Sequence, residues 1–184
     1  GINYAENTRS VSQEYFKSVP DTVYVKSGAK ISDLNIDNEI RLPDKEYSIF
    51  VSEENSRVYI MADLDIAPAD MNSAWVEVNK RSAGRSKMDA GRKADRLQYN
   101  CYISGDTLFV DEYFTIPEGT KWSFDEVHAD LLVPEGTVIY MDKTVESLVH
   151  SYYDDDFIID HRNTFWRMEE YGLEYIEPGR RFNR

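Results

Sequence analysis

The chain has 184 residues, of which 41% are hydrophobic, so it is long enough for one domain with a substantial core and too apolar for general disorder. Its net charge of −13 disfavours nucleic acid and anionic membrane surfaces as direct ligands, because phosphate contacts require Lys and Arg side chains. The single cysteine excludes an intrachain disulfide, and the sequence shows neither a signal peptide nor an apolar run near the ~20 residues of a transmembrane helix.

The first half of the chain predicts a linker followed by short strands. Residues 1–20 are polar and lack a clear period, so we interpret them as a poorly ordered linker that ends in a short strand. Apolar side chains alternate over residues 58–64, which predicts one half-buried strand, and residues 65–72 predict a loop. Strands are predicted over residues 22–25, 47–51, 58–64 and 74–79.

One helix is predicted near residues 84–97. Ser86 and Asp89 lie three residues apart and resemble a capping box, and small apolar residues recur on one stripe of the helix. The segment 80–96 holds seven basic and two acidic residues, so a basic island lies in an acidic protein. The basic face of the helix carries Arg85, Arg92, Lys93 and Arg96.

A hairpin signal follows the helix directly. Two segments of alternating character, residues 97–103 and 107–110, flank Gly105 and Asp106. Because Gly accepts positive φ, this pair predicts a two-residue turn of the II′ type.

Two copies of Pro-Glu-Gly-Thr, beginning at Pro117 and Pro134, punctuate the second half of the chain. Pro presets φ and Gly supplies the left-handed position, so each copy predicts a tight turn between strands. Between the two turns, residues 126–133 alternate cleanly and predict a half-buried strand. We therefore predict a mainly β fold: a single-domain β-solenoid or β-sandwich-like stack of short strands with one helix near residues 84–97.

The C-terminal part differs in character from the segments before it. The acidic run at residues 154–156 breaks the strand pattern, and a hairpin is predicted over residues 164–176. We divide the chain into a linker (residues 1–20), a β-rich domain (21–150), an acidic loop and hairpin packed on that domain (151–177) and a tail (178–184).

His128 is the first candidate for chemistry. It lies between Glu126 and Asp130, and a period of two places all three side chains on one face of a strand. Such a set fits a general base or a metal ligand group. A solvated strand face has the same composition, and we favour that interpretation.

Two further candidates have simpler explanations. The acidic cluster at residues 154–160, bracketed by His150 and His161, is rich in the oxygen ligands that Ca²⁺ and Mg²⁺ prefer. It lacks the spacing and the Gly of an EF-hand, so we interpret it as a solvated loop. Cys101 falls on the apolar side of a strand with no histidine near in sequence, which predicts a buried, inert thiol.

The sequence contains no catalytic motif. Neither the Gly-x-Ser-x-Gly nucleophile elbow nor a phosphate-binding loop occurs. Glu118 and Glu135 resemble a glycosidase pair, but turn chemistry explains both. We therefore predict no catalytic residue, no metal, no cofactor and no enzyme activity. The basic helix face suits an acidic partner, an anionic head group or the protein's own acidic surface, and we favour the last.

Several motifs together carry a family resemblance. They are Leu97-Gln98-Tyr99-Asn100, Gly105-Asp106-Thr107-Leu108, Tyr113-Phe114, residues 117–122, Glu126-Val127 and residues 133–137, followed by Trp166-Arg167-Met168 and Gly172-Leu173. In these motifs the chain resembles the C-terminal domain of bacterial phage-shock-protein-C (PspC) domain membrane proteins, over about residues 20–176. The tail over residues 178–184 departs from the usual ending of that domain.

The resemblance implies a β-rich "toast-rack" domain that lies outside the cytoplasm, in the periplasm, and that follows a PspC domain and transmembrane helices. The first residue, Gly1, fits a fragment of such a protein. The resemblance further implies a non-enzymatic sensor or scaffold in the envelope stress response, without catalytic residues. We expect protein partners at the cell envelope, a homo-oligomer among the options, membrane attachment through helices outside this sequence, and no nucleic acid.

We expect the protein-contact surface to combine the basic helix with exposed aromatic side chains, because Arg, Tyr and Trp dominate binding energies at interfaces. The residues of this expected surface are Arg85, Arg92, Lys93, Arg96, Tyr102, Tyr113, Tyr152, Tyr153 and Trp166. Two other functions stay open. One is a carbohydrate-binding or carbohydrate-cleaving β-domain of the envelope, which would need paired carboxylates beside an aromatic platform. The other is an adhesion module stabilised by Ca²⁺.

Overall fold

A computed structural model of the chain describes residues 6–42, 47–149 and 162–179. Strands predominate in these residues, and one α-helix is present. The strands are β1 (Glu6–Tyr15), β2 (Thr22–Ser27), β3 (Asn38–Leu42), β4 (Tyr47–Ser52), β5 (Arg57–Met61), β6 (Asp63–Pro68), β7 (Trp75–Gly84), β8 (Cys101–Ser104), β9 (Thr107–Val110), β10 (Tyr113–Thr115), β11 (Glu126–Val133), β12 (Val138–Met141), β13 (Thr164–Met168) and β14 (Leu173–Ile176). The helix is α1 (Lys87–Asp95).

The strands form three open sheets. Their strand orders are β1-β7-β11-β6 in the first sheet, β10-β5-β4-β3 in the second and β14-β13-β12-β2-β9-β8 in the third. Most neighbours are antiparallel, and the parallel pairs are β11–β6, β12–β2 and β2–β9. The predicted mainly β, single-domain fold with one helix is confirmed. Because the sheets are open and largely antiparallel, the arrangement is closer to the sandwich-like stack than to the solenoid.

One hydrophobic core joins the three sheets. It contains Val76 and Leu131 from the first sheet, Ile60 and Phe114 from the second and Ile139 from the third. All five side chains are buried. Burying an aliphatic or aromatic side chain of this size contributes about 1.5–3 kcal/mol, so the shared core stabilises the sheets as one unit.

The first sheet begins with a strand where the sequence predicts a linker. β1 pairs with β7 over ten residues, from Glu6 opposite Gly84 to Tyr15 opposite Trp75. It is an edge strand with mostly exposed side chains from Arg9 onward, so its sequence lacks the apolar alternation that reveals a half-buried strand.

A side chain links the first sheet to the third. Glu14, on the edge strand β1, accepts a hydrogen bond from the backbone N–H of Ile103 on the edge strand β8, with 2.9 Å between Oε1 and N. The Glu14 carboxylate thus satisfies the Ile103 N–H on the edge of the third sheet.

The predicted strand over residues 58–64 consists of two strands in different sheets. β5 ends at Met61 in the second sheet, and β6 begins at Asp63 in the first. The alternation continues through the crossing because Ala62 is buried as well. The loop predicted over residues 65–72 is therefore wrong in its first part, since β6 runs to Pro68. A Pro is tolerated there because β6 is an edge strand.

The helix forms as predicted. The Asp89 N–H donates to Ser86 Oγ (3.1 Å), which confirms Ser86 as the N-cap. The Asp89 carboxylate accepts in turn from the Arg85 N–H (2.9 Å), one residue before the N-cap. Ala90 and Ala94 are fully buried, and α1 packs on β1 and β7. The basic residues of the helix consequently lie away from the sheet.

The predicted turns are confirmed by their backbone geometry. Gly119 and Gly136 have φ of 76° and 92°, and in each turn the Thr N–H donates to the Pro carbonyl three residues before it. Gly105 has φ of 60°, as the first central residue of a II′ turn requires. The predicted C-terminal hairpin is present as the antiparallel pair β13–β14.

Candidate functional site

The outward face of β11 carries the best-defined polar cluster among the described residues. Burial alternates strictly along this strand, so Val127, Ala129, Leu131 and Val133 point into the core. His128 and Asp130 therefore point outward together, as the sequence predicts.

The parallel neighbour β6 brings a second carboxylate to the same place. In the register of the two strands, Asp65 is the partner of Asp130 and Asp63 is the partner of His128. His128 Nε2 lies 3.0 Å from Asp65 Oδ2 and 3.0 Å from Asp130 Oδ1. We call Asp65, His128 and Asp130 the Asp-His cluster.

The electrostatics of the Asp-His cluster favour a positive charge on its histidine. The hydrogen bond with Asp130 is the largest influence and raises the pKa of His128, while partial burial of the ring opposes it. The charges of Asp130, Asp65 and Asp63 raise the pKa further. On the other side of the cluster, Asn79 Nδ2 donates to Asp130 Oδ2 over 3.4 Å and orients that carboxylate.

Sequence reasoning finds two members of the Asp-His cluster and misses the third. It places Asp65 in a loop, whereas this residue is in the middle of β6. The available signal is the spacing of Asp63 and Asp65, which puts both side chains on one strand face. A nitrogen and two carboxylate oxygens that meet at one point can hold a proton or a cation.

The expected contact surface is only partly on the outside of the molecule. Arg85, Arg92 and Arg96 are exposed, and Lys93 is half-buried and lies 3.8 Å from Asp89 of the same helix. Among the described residues, the favoured pairing with the protein's own acidic surface centres on Asp89, which also interacts electrostatically with Arg85 and Arg92.

The aromatic members of the expected surface differ widely in exposure. Tyr102 is 49% exposed and stacks on Phe109, with 5.1 Å between ring centroids. Tyr113 is half-buried and meets the ring of Tyr59 edge-on at 5.0 Å. Tyr152 and Tyr153 lie outside the described residues.

The prediction of Trp166 as a contact residue is wrong, because its side chain is 0% exposed. Burial alternates along its strand β13, where Thr164, Trp166 and Met168 are buried and Arg167 is exposed, so the indole faces the core. Its Nε1–H donates to Thr164 Oγ1 over 2.8 Å, which satisfies the buried polar atom.

Cys101 and the two turn glutamates have structural surroundings close to those expected. Cys101 is half-buried and its pKa is raised, which agrees with an inert thiol. Glu118 and Glu135 are exposed residues of the two Pro-Glu-Gly-Thr turns. The acidic cluster at residues 154–160, with His150 and His161, lies outside the described residues.

Comparisons with known proteins identify one family. Residues 50–178, which are more than half of the chain, match the family described as "ToastRack found in some PspC". No curated protein and no solved structure matches the chain. In the part of the chain that the structure describes, no helix has the length and apolarity that a bilayer span requires.

Proposed function

The chain belongs to the toast-rack family found in some PspC proteins, and from this premise we propose that it is a non-enzymatic, extracytoplasmic domain of a membrane-anchored envelope-stress protein that acts through protein contacts. The family indicates a membrane-protein context. The role in stress sensing, the extracytoplasmic position and the protein partner are parts of the proposal.

The observation that carries the proposal is a set of exposed arginines on and beside α1 in a chain of net charge −13. Arg92 lies within the helix, Arg85 precedes its N-cap and Arg96 is its C-cap. Among the described residues, Arg85, Arg92 and Arg96 form no ion pair with a carboxylate. The opposite side of the helix is fixed by the buried Ala90 and Ala94. Three arginines are thus presented on a rigid support, which favours recognition of an acidic protein surface.

An exposed aromatic side chain adds to this argument. Tyr102 projects from the edge strand β8 and rests on Phe109, so it offers an apolar contact area whose conformation is already restricted. Tyr and Arg are the residue types that contribute most at protein interfaces.

In-cell photocrosslinking tests the protein contact. The full-length protein carries a photoreactive amino acid in place of Arg92, and a matched control carries it in place of the exposed Glu135. We expect an adduct with an acidic protein, or with a second copy of this chain, at position 92 only. The substitutions Arg85→Glu and Arg96→Glu together lower its yield by at least about tenfold, because they reverse the charge of the face.

Two results would contradict the proposal. One is an adduct yield at position 92 no greater than at position 135. The other concerns location: a membrane-impermeant protease added to spheroplasts degrades an extracytoplasmic domain, and full protection of this domain would place it on the wrong side of the membrane. Both substituted side chains are exposed, so we expect the charge reversals to change the free energy of unfolding by no more than about 0.5 kcal/mol. A lower adduct yield therefore does not reflect misfolding.

A further inference from the structure

The Asp-His cluster lies on the outer face of the first sheet and takes no part in the proposed protein contact. We propose that Asp65, His128 and Asp130 form a binding site for one divalent transition ion of the Zn²⁺ class. The site joins the edge strand β6 to its neighbour β11.

The geometry of the three side chains points to a shared ligand. One oxygen from each carboxylate lies 3.0 Å from the same histidine nitrogen, Nε2. That nitrogen carries at most one hydrogen, which can point well at only one of two oxygens. An ion placed between the three atoms could bind all of them after they move apart by a few tenths of an ångström, since distances of about 2.0–2.2 Å from Zn²⁺ to N and O separate tetrahedral ligands by about 3.3–3.6 Å.

The backbone holds these ligands in place. Asp65 and Asp130 are direct partners in the parallel register of β6 and β11, and His128 is two residues before Asp130 on the same face. Asn79, on β7, holds the second oxygen of Asp130. A hydrogen bond to the far oxygen of a ligating carboxylate is the usual support around metal ligands.

The surrounding charge favours a cation. Asp63 contributes a further negative charge at His128, and Glu77 is the partner of Asp130 on β7. Arg81, on β7, lies 4.0 Å from Glu126 and so faces another carboxylate. A divalent ion would therefore reduce repulsion among several carboxylates on one sheet face.

The ligand set selects the class of ion. Imidazole suits Zn²⁺ and its neighbours in the first transition row, whereas Ca²⁺ and Mg²⁺ prefer oxygen ligands alone. The three side chains are 34%, 43% and 28% exposed for His128, Asp65 and Asp130, so water can complete the coordination. Since β6 is an edge strand, the expected consequence of binding is a more stable first sheet.

Titration calorimetry with Zn²⁺ alone, on the metal-free chain at about pH 8, tests this proposal, because Zn²⁺ binds the neutral imidazole. We expect one Zn²⁺ ion per chain at this site with a dissociation constant below about 100 µM. At a hundredfold excess over that constant the melting temperature rises by ~5 °C or more, because the ion binds only the folded state. Ca²⁺ at the same concentration leaves the melting temperature unchanged.

Matched variants separate this site from the other histidines, of which the chain has two. His128→Gln and Asp65→Asn each weaken Zn²⁺ binding at least about tenfold, whereas His150→Gln combined with His161→Gln leaves it intact. Circular dichroism in EDTA verifies that each variant is folded. Co²⁺ provides a second readout, since its visible absorption in the wild type is lost in His128→Gln. The proposal is overturned if the wild type does not bind Zn²⁺, if His128→Gln binds it equally well, or if only the His150 and His161 variant loses it.

Discussion

The thiol of Cys101 shows how surroundings set the chemistry of one residue. Burial is the largest influence on this thiol, and with the nearby carboxylates of Glu14 and Asp111 it raises the pKa to about 12, from an ordinary value of 9.0. The charged thiolate is the reactive form, so a raised pKa keeps Cys101 neutral and unreactive across the physiological range. The placement on the inner side of β8 therefore explains the lack of nucleophilic character that the sequence predicts.

Alkylation kinetics test this account. At pH 8 a pKa of about 12 lowers the thiolate fraction about 1000-fold relative to an ordinary thiol, so iodoacetamide should modify native Cys101 about 1000-fold more slowly than the chain unfolded in urea. Raising the pH toward 12 should restore the rate. The control is Tyr102→Cys combined with Cys101→Ser, which moves the thiol to an exposed position on the same strand. Equal rates for Cys101 and the control would contradict the buried, neutral thiol.

The sequence predicts the positions of some site residues correctly and of others incorrectly. The shared face of His128 and Asp130 follows from strand periodicity alone. Asp65 joins them through the register of two parallel strands that lie about 65 residues apart, and no local pattern encodes that register. The prediction that Trp166 is exposed is wrong, because the sequence of a short strand does not show which of its two faces packs on the core.

Helix α1 depends on close approach to the strand before it. A Cβ atom on Gly84, the last residue of β7, would lie 2.5 Å from the Ala90 nitrogen and 2.6 Å from Asp89 Oδ2. Only glycine allows the start of the helix to lie against the end of β7 at this distance. A Cβ atom on Gly91, within the helix, would meet only Thr8 Cγ2 at an ordinary 3.5 Å.

The two glycines therefore predict opposite effects of the same substitution. Gly84→Ala should lower the free energy of unfolding by about 1–3 kcal/mol, because the added methyl group forces the helix away from the strand. Gly91→Ala should raise it by about 1 kcal/mol through better helix propensity. Urea denaturation measures both. A Gly84→Ala variant as stable as the wild type would show that the helix does not pack this closely.

Local signals predict the elements of this fold better than their boundaries and partners. Turn chemistry locates Gly119 and Gly136 correctly because the backbone there needs positive φ. The sequence does not show that the chain passes from one sheet to another at Ala62, because the apolar alternation continues through that residue. β1 is missed because an edge strand needs little apolar content and its partner β7 is distant in sequence.

At the scale of the whole molecule, β1 completes the first sheet and also supports the helix. It pairs with β7 over ten residues and packs against α1. Without it, the edge of β7 would be open and one side of the helix would lose its contact. The N-terminal segment, although polar, is thus part of the folded domain.

Deletion of residues 1–15 tests the importance of β1. We expect the melting temperature to fall by at least ~5 °C and the shortened chain to self-associate, because an unpaired strand edge is a template for intermolecular pairing. Differential scanning calorimetry and sedimentation velocity measure the two effects. An unchanged melting temperature in a monomeric protein would show that β1 contributes little.

The contact between Glu14 and Ile103 has a consequence for the protein at high local concentration. At the β8 edge of the third sheet, the Ile103 N–H cannot bond to an incoming strand, because the Glu14 carboxylate of the same molecule already accepts from it. A strand from a neighbouring copy would have to expel this carboxylate before it could add to the ladder. The Glu14 side chain thereby opposes the edge-to-edge strand pairing from which fibrils grow.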